Sequence, residues 1–432
     1  MRDADVVIVG AGAAGLSLAF RLCAPAAGDR ELRVLLVDAP HGPLTPPERT
    51  WCYWEAPGGV FDSALTASWE RLRVHGPDGA ATEGRPAPLR YKMLRSRDFE
   101  AFVGARLAVR SGAVRATAAV ESVRDAAGGA EVRGRDEAGR PVVFRARWAF
   151  DSRPPGVRLP PARTTLQQHF RGWFVRTGRP AFDPATADLM DFRTPQPAHG
   201  LSFGYVLPLS ERTALVEYTE FSRRILHTAA YERALRRYTA QVLRLDDFRV
   251  TAVEQGVIPM TDGRFPRRAG RSVFRIGTAG GATRASTGYT FAAVQRQSAH
   301  LAAALLAGRH PLPPPAHTAW HRAMDAVLLR ALDRGRVDGA EFFTGLFRAV
   351  PMERLLRFLD GRSRLWEDVT IGLHTPVLPM LRTAAELPLL PRTGHGAVNR
   401  PRHTSPKTGG EPAMTLPHEG PSSTGCAPRE RA

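Results

Sequence analysis

Lysine is almost missing from this chain of 432 residues. Lys92 and Lys407 are the only two, against 60 lysines and arginines together. The chain therefore has no lysine-rich tail, and it carries no recognisable nucleic-acid-binding motif, so nucleic acid is not an expected partner. Cysteine is scarce as well. Cys23, Cys52 and Cys426 form neither a metal-ligand spacing nor an even set for disulfides. No metal site is expected, and a cytoplasmic setting fits best. Long apolar runs are also lacking, which excludes a transmembrane helix. The first strand-like segment follows Met1 within five residues and leaves no room for a signal peptide.

What is plentiful is arginine. The formal net charge is +18. Together with the high alanine, glycine and proline content, this reads either as compositional bias or as a surface suited to anionic lipid. The length allows two or three domains with a large core.

The N-terminal stretch Val6-Val7-Ile8-Val9 is a run of β-branched residues, as in a strand buried on both faces. Gly10, Gly12 and Gly15 follow as G-x-G-x-x-G, with Ala14 inside the motif and an amphipathic run after it. The first glycine permits a tight turn and the second a close approach to pyrophosphate. The third lets helix and strand pack together. A second apolar strand, Val34-Leu35-Leu36-Val37, ends in Asp38, placed to take a ribose hydroxyl pair. Strand, turn, helix, strand and acid together predict a dinucleotide site.

Further along, Trp51, Tyr53 and Trp54 lie between Arg49 and Glu55 in a loop-like context after four prolines. They read either as a strand packed on the core or as an aromatic pocket wall. Helical spacing marks residues 96–107, and residues 113–147 read as strands with a Gly128-Gly129 hairpin. Residues 164–260 are rich in strands. Among them are Phe203-Gly204-Tyr205 and Leu215-Val216-Glu217-Tyr218-Thr219. Alternation puts Glu217 on one face with Leu215 and Thr219, opposite Val216 and Tyr218. From pattern alone, a strand glutamate faces solvent more often than a site. Residues 228–245 read as an amphipathic helix.

A second strand runs into a glycine turn containing Gly277, Gly280 and Gly281. Thr287 and Gly288 follow, then a long helix over 291–306. This late strand, turn and helix is the layout of many flavoproteins, with the helix N-terminus aimed at the cofactor. Many of those carry Gly-Asp where this chain has Gly277-Thr278. Residues 316–384 read as helical. Phe342, Phe343, Leu346, Phe347, Leu355, Leu356, Phe358 and Leu359 are interleaved with Arg354, Arg357, Arg362 and Arg364. They suggest either a helical subdomain packed on the body or an interfacial surface meeting lipid. From about 386 onward the composition predicts a disordered tail.

Five segments in order resemble the flavin-dependent lycopene cyclases of carotenoid synthesis, the monomeric beta-cyclase type. They are the N-terminal glycine motif; Arg49-Thr50-Trp51-Cys52-Tyr53-Trp54; Leu94-Arg95-Ser96-Arg97-Asp98-Phe99; Leu215-Val216-Glu217-Tyr218-Thr219; and Gly280-Gly281-Ala282-Thr283-Arg284-Ala285-Ser286-Thr287-Gly288-Tyr289-Thr290-Phe291. Two departures stand out. Tyr218 replaces the second glutamate of the plant Phe-Leu-Glu-Glu-Thr motif, and Ala285 replaces a usual proline.

The resemblance implies an α/β fold: a Rossmann-like, two-dinucleotide FAD-binding domain over 1–160 and 260–310, an antiparallel sheet for the polyene over 161–259, and a helical region over 311–385. The tail would span 386–432. It implies reduced FAD regenerated by NAD(P)H, held by Gly10, Gly12, Ala14, Gly15, Asp38, Arg97, Gly277, Gly280, Gly281, Thr287 and Gly288. It implies Glu217 as the acid, with Trp51, Tyr53, Trp54, Phe203 and Tyr205 beside the lycopene chain. Peripheral membrane contact and other carotenoid enzymes are the implied partners. The alternatives on the same scaffold are a monooxygenase or a prenyl or carotenoid reductase, and a basic flavin-binding protein without chemistry.

Overall fold

A computed structural model describes residues 3–23, 30–42, 44–110, 112–154 and 159–394. Val6, Val7, Ile8 and Val9 are all buried, as their β-branched run predicts, because their strand lies in the middle of a sheet. Ala4–Val9 pairs in parallel with Val34–Asp38 on one side and with Pro141–Asp151 on the other. Ala113–Thr117 and Val273–Arg275 extend the parallel array at its two edges. The helices Ala13–Leu22 and Phe291–Leu306 share one face of this sheet with Val6, Ile8, Phe150 and Phe274. The first part of Pro141–Asp151 leaves the parallel array and pairs antiparallel with Gly129–Arg135, which pairs with Ala119–Ala126. This three-stranded layer closes over Val7, Val9 and Val37 on the other face. The result is a Rossmann-like nucleotide-binding fold whose strand ends and helix N-termini converge at one edge.

The second sheet has seven strands in the order Phe248–Thr261, Thr165–Thr177, Thr213–Ser222, Leu201–Ser210, Thr186–Asp191, Arg71–His75, Ala81–Gly84. The last two come from the N-terminal segment, so residues 71–84 belong with this sheet rather than with the nucleotide fold around them. One face is covered by the helix Thr228–Arg237, which packs Tyr231 and Leu235 on Val216 and Tyr218. The helix expected over 228–245 stops at Arg237 and passes into a wide π turn, Tyr238–Val242. The other face points inward, toward the nucleotide fold and the C-terminal helices.

The aromatic motif, read either as a strand packed on the core or as a pocket wall, is a strand. Thr50–Glu55 pairs antiparallel with Arg90–Arg95, which also pairs with Ala67–Trp69. Among the described residues five helices follow the nucleotide fold: Ala319–Asp333, Gly339–Ala349, Met352–Leu359, Leu365–Gly372 and Val377–Glu386. Phe342, Phe343, Phe347, Leu355 and Leu356 are buried in the main core. Residues 342–359 are thus the packed subdomain of the two readings, and the interfacial reading of that stretch is corrected. The expected tail lies outside the described residues from 395 on. Before that, Leu387–Leu389 forms a 3-10 turn and Thr393 bridges to Ala162.

Candidate active site

The first glycine turn is shaped by what a side chain would strike. A Cβ on Gly15 would lie 1.9 Å from the Gly10 carbonyl oxygen, whereas one on Gly12 would meet nothing within 4 Å. Gly15 therefore serves helix–strand packing, and Gly12 leaves open space. Ser152 Oγ donates to the carbonyls of Val9 at 2.8 Å and Gly10 at 3.0 Å, fixing the turn. The helix that follows has no side-chain cap and no acid in its first turn. Its N–H groups remain available to an anion. The second turn meets the first. Gly277 has φ +64°, and a Cβ there would lie 2.8 Å from the Ala14 methyl.

A cavity of about 340 Å³ runs from these turns to the inner face of the second sheet. Gly12, Ala14, Gly277, Thr287, Gly288, Trp51, Tyr205 and Glu217 all line it. Gly10, Gly15, Gly280 and Gly281 belong to the same turns but are not among the lining residues. Asp38 stands at the end of its strand, accepting from Arg115 Nη2 at 2.6 Å and from the Ala39 N–H at 2.8 Å. Arg97 is mostly exposed beside Glu48 and Asp98 and does not reach the cavity. Among the aromatics, Tyr53 meets Phe291 at a tilt of 36° with ring centres 4.7 Å apart, and Trp54 meets Tyr289 edge-on at 4.5 Å. Both stand one layer back from the lining, as does Phe203, which is enclosed by Phe192, Tyr205 and Phe221. Phe203 shares a strand face with Tyr205 but does not line the cavity.

Glu217 is no surface glutamate. Its strand neighbours Val216 and Tyr218 take the helix-covered face, so Glu217 points inward, and only the cavity gives it partial exposure. Thr219 Oγ1 donates to its Oε1 at 2.7 Å. Burial pushes its pKa up to about 8, and the nearby charge of Glu254 adds to the rise. Glu254 is also buried, and its carboxyl too is raised by burial. It receives the Thr50 N–H at Oε1 (2.8 Å) and the Thr50 hydroxyl at Oε2 (2.5 Å). Tyr205, Tyr91 and Tyr289 complete the wall. The hydroxyls of Tyr91 and Tyr289 lie 3.3 Å apart, and burial pushes Tyr289 up to about 12. The cavity thus offers a protonated acid among aromatic faces, which can stabilise a developing cation.

The loop carrying Thr287 and Gly288 is held from below. Arg284 is 1% exposed. Its Nε lies 3.2 Å from Asp325 Oδ1, and its Nη1 donates to the Phe358 carbonyl. Ser286 Oγ donates to the same Asp325 oxygen at 2.7 Å. The C-terminal helices therefore set the loop that lines the cavity.

Glu254, Gln168 and Tyr91 were not legible as site residues. The signal for Glu254 was an acid inside an extended segment, but its partner strand is distant in sequence. Gln168 Oε1 lines the cavity without a hydrogen-bond partner. A Cβ on Gly288 would lie 2.0 Å from it. Among the described residues, no group of three or more His, Cys, Asp or Glu is placed to hold a metal ion.

The sequence matches the family described as "Lycopene cyclase protein" over residues 5–385. Among curated proteins none matches it significantly. Solved structures share the fold at low identity. A geranylgeranyl bacteriochlorophyll reductase-like protein from Thermoplasma acidophilum is 13% identical over 89% of this chain and 99% of that one, with TM-score 0.56. A flavoprotein/dehydrogenase from Cytophaga hutchinsonii is 12% identical, covering 89% and 99%, with TM-score 0.58. The p-nitrophenol 4-monooxygenase PnpA from Pseudomonas putida is 15% identical, covering 88% and 97%, with TM-score 0.54. The shared architecture is an FAD-binding Rossmann-like fold.

Proposed function

The chain belongs to the lycopene cyclase family, and from that premise we propose that it closes the open ends of lycopene into β-rings, giving γ-carotene and then β-carotene. The observation that carries this reading is Glu217: a carboxyl with its pKa pushed up to about 8, facing a cavity with aromatic walls beside the nucleotide turns. At neutral pH it holds a proton. In the reaction, that proton passes from Glu217 to the terminal double bond of the polyene. A C–H bond forms and a tertiary cation results. The neighbouring double bond attacks the cation, and the new C–C bond closes a six-membered ring. Loss of an adjacent ring proton restores a double bond. One proton enters and one leaves, so no electrons are transferred. The faces of Trp51 and Tyr205 line the path of the cation.

The residues around the two glycine turns fit a flavin dinucleotide. Open space beside Gly12, an uncapped helix N-terminus and the unpartnered Gln168 Oε1 leave room and polar groups for it. Gly10, Gly12, Ala14 and Gly15 would hold the pyrophosphate, Asp38 the ribose, and the turns containing Gly277, Gly280, Gly281, Thr287 and Gly288 the flavin end. Once bound and reduced by NAD(P)H, FAD would supply negative charge that stabilises a cation. Arg97, standing outside, is left with an outer role at most.

The substrate dissolves in lipid, and we place the lipid-facing surface at residues 365–389. The helix Leu365–Gly372 is inverted. It buries Glu367 and Asp368 and exposes Leu365, Trp366 and Val369. Leu373, Val377, Leu378, Leu381 and Leu389 continue the exposed apolar face, with Arg362, Arg364 and Arg382 exposed beside it. Such a face suits the interface of an anionic bilayer. No helix among the described residues is long and apolar enough to cross a membrane.

The test is anaerobic incubation of the purified protein with lycopene and reduced FAD. The expected product is an isomer of equal mass, formed without nicotinamide consumption beyond flavin reduction. A product differing by one oxygen or two hydrogens overturns the cyclase reading in favour of a monooxygenase or reductase. Glu217→Gln is expected to abolish ring closure while flavin content is retained.

A further inference from the structure

We infer that Glu254 is a positioning residue that holds Glu217 in its proton-donating form, through an asymmetric carboxyl pair built across Gly172. The inference rests on the acid role proposed for Glu217. Three adjacent strands carry the pair. Gly172 is the register partner of Glu217 on one side and of Glu254 on the other. Neighbouring strands lie about 4.8 Å apart, so the two glutamates start from backbones about 10 Å apart. The missing side chain between them opens that gap. A Cβ on Gly172 would stand 2.8 Å from Leu215 Cδ1, 3.4 Å from Glu217 Cβ and 3.5 Å from Glu217 Oε2, so the Leu215 methyl and the Glu217 carboxyl both reach over the glycine, on the side of Glu254.

The two carboxyls have different surroundings. Glu254 accepts from both donors of Thr50, one at each oxygen, and the guanidinium groups of Arg49 and Arg95 act on it. Glu217 has a single hydroxyl donor, Thr219. Hydrogen bonds and cations favour the charged form, so of the two Glu254 carries the negative charge and Glu217 the proton. The remaining titratable groups facing Glu217 are Tyr205 from the next strand, Tyr289 from the flavin-side loop and Cys52 from the aromatic strand. Burial holds all three above their ordinary values, so they stay neutral where Glu217 titrates. Burial supplies the largest part of the rise at Glu217, and the charge that adds to it is that of Glu254.

The test is infrared titration of the flavin-loaded protein without substrate, following the protonated-carboxyl band that Glu217→Gln removes. In the parent the band is expected to shift slightly as Glu254 ionises at lower pH, then to vanish near pH 8. In Glu254→Gln the midpoint is expected to fall by about one unit or more, and Glu254→Asp is expected to restore it. The alkaline limb of the cyclisation rate follows: at pH 9, Glu254→Gln retains about one tenth of the parent rate relative to its own acid plateau. An unchanged or raised midpoint overturns the inference. Should Glu254→Gln fail to fold, the parent and Thr50→Val decide. The early band shift is expected to move to higher pH in Thr50→Val, and its absence from the parent overturns the pairing. The titration does not depend on turnover. A shifted midpoint in a protein that fails to cyclise lycopene would sink the proposed function and keep the pair.

Discussion

Glu217 shows what a single residue reveals and what it hides. Alternation placed it with Leu215 and Thr219, and that face is the one observed. Which face is inner depends on the helix Thr228–Arg237 covering the other side, a tertiary fact. Glu254 stayed hidden because its meaning comes from register with Gly172, 82 positions earlier in the numbering. Phe203 misled because strand face is legible but the length of a cavity is not. The raised pKa also predicts a stability cost. The folded-state value of about 8 lies above the ordinary 4.5. The proton on Glu217 therefore stabilises the fold fully below about pH 4.5. That contribution is lost as pH rises through 8. Glu217→Gln does not titrate. Its melting temperature is expected to gain on the parent between pH 5 and 8 and to level off above, by several degrees, or about 3–4 kcal/mol. Thermal melts of both proteins across that range check this. A constant difference would mean that Glu217 is ionised in the fold.

At the scale of elements, both glycine turns and the helix Phe291–Leu306 were legible, because glycines at fixed offsets after a β-branched strand leave little alternative. The helix over 228–245 was not read to its true end. Its last turn widens where Tyr238 reaches inward, its hydroxyl donating to Asp191 Oδ2 at 2.8 Å. The ring fits only because Gly204 opposite has no side chain; a Cβ there would lie 2.3 Å from Tyr238 Cζ. Hydrophobic periodicity carries no trace of such a partner. Arg284 was likewise part of a motif without a stated task, and its task is mechanical. It joins the cavity loop to the helix Ala319–Asp333 through Asp325. Arg284→Met leaves Asp325 buried with an uncompensated charge, a loss of about 3–5 kcal/mol. The variant is expected to melt earlier and to lose flavin on gel filtration. Arg284→Met/Asp325→Leu is expected to recover much of the stability, because a buried pair can be replaced by apolar residues at little cost. If the single variant keeps both its melting temperature and its flavin, the loop is held by something else.

For the whole molecule, composition announced a charge of +18 but not where it meets apolar surface. An amphipathic stretch looks alike whether its apolar stripe faces a core or a bilayer. The phenylalanines of 342–347 and the leucines of 365–389 therefore could not be told apart by pattern. The fold separates them: the first set is enclosed, while Leu378 is 79% and Leu389 83% exposed. Eight of the seventeen exposed large apolar residues among those described fall within residues 365–389. Arg354 lies over the Trp366 ring at 5.4 Å, so cation and indole stand together at the edge of the patch. This arrangement predicts opposite outcomes for two sets of substitutions. Leu378→Asp/Leu381→Asp is expected to leave melting and flavin content unchanged and to weaken sedimentation with anionic vesicles by about tenfold or more, since both side chains lose their apolar burial in the interface. Phe342→Ser/Phe343→Ser is expected to destabilise the fold by several kcal/mol, as deletions from a packed core do. Binding of the parent should fall with added salt and with zwitterionic lipid, because the arginine contribution is screened. Equal vesicle binding by the parent and Leu378→Asp/Leu381→Asp would remove this surface as the route by which a lipid-dissolved polyene reaches Glu217.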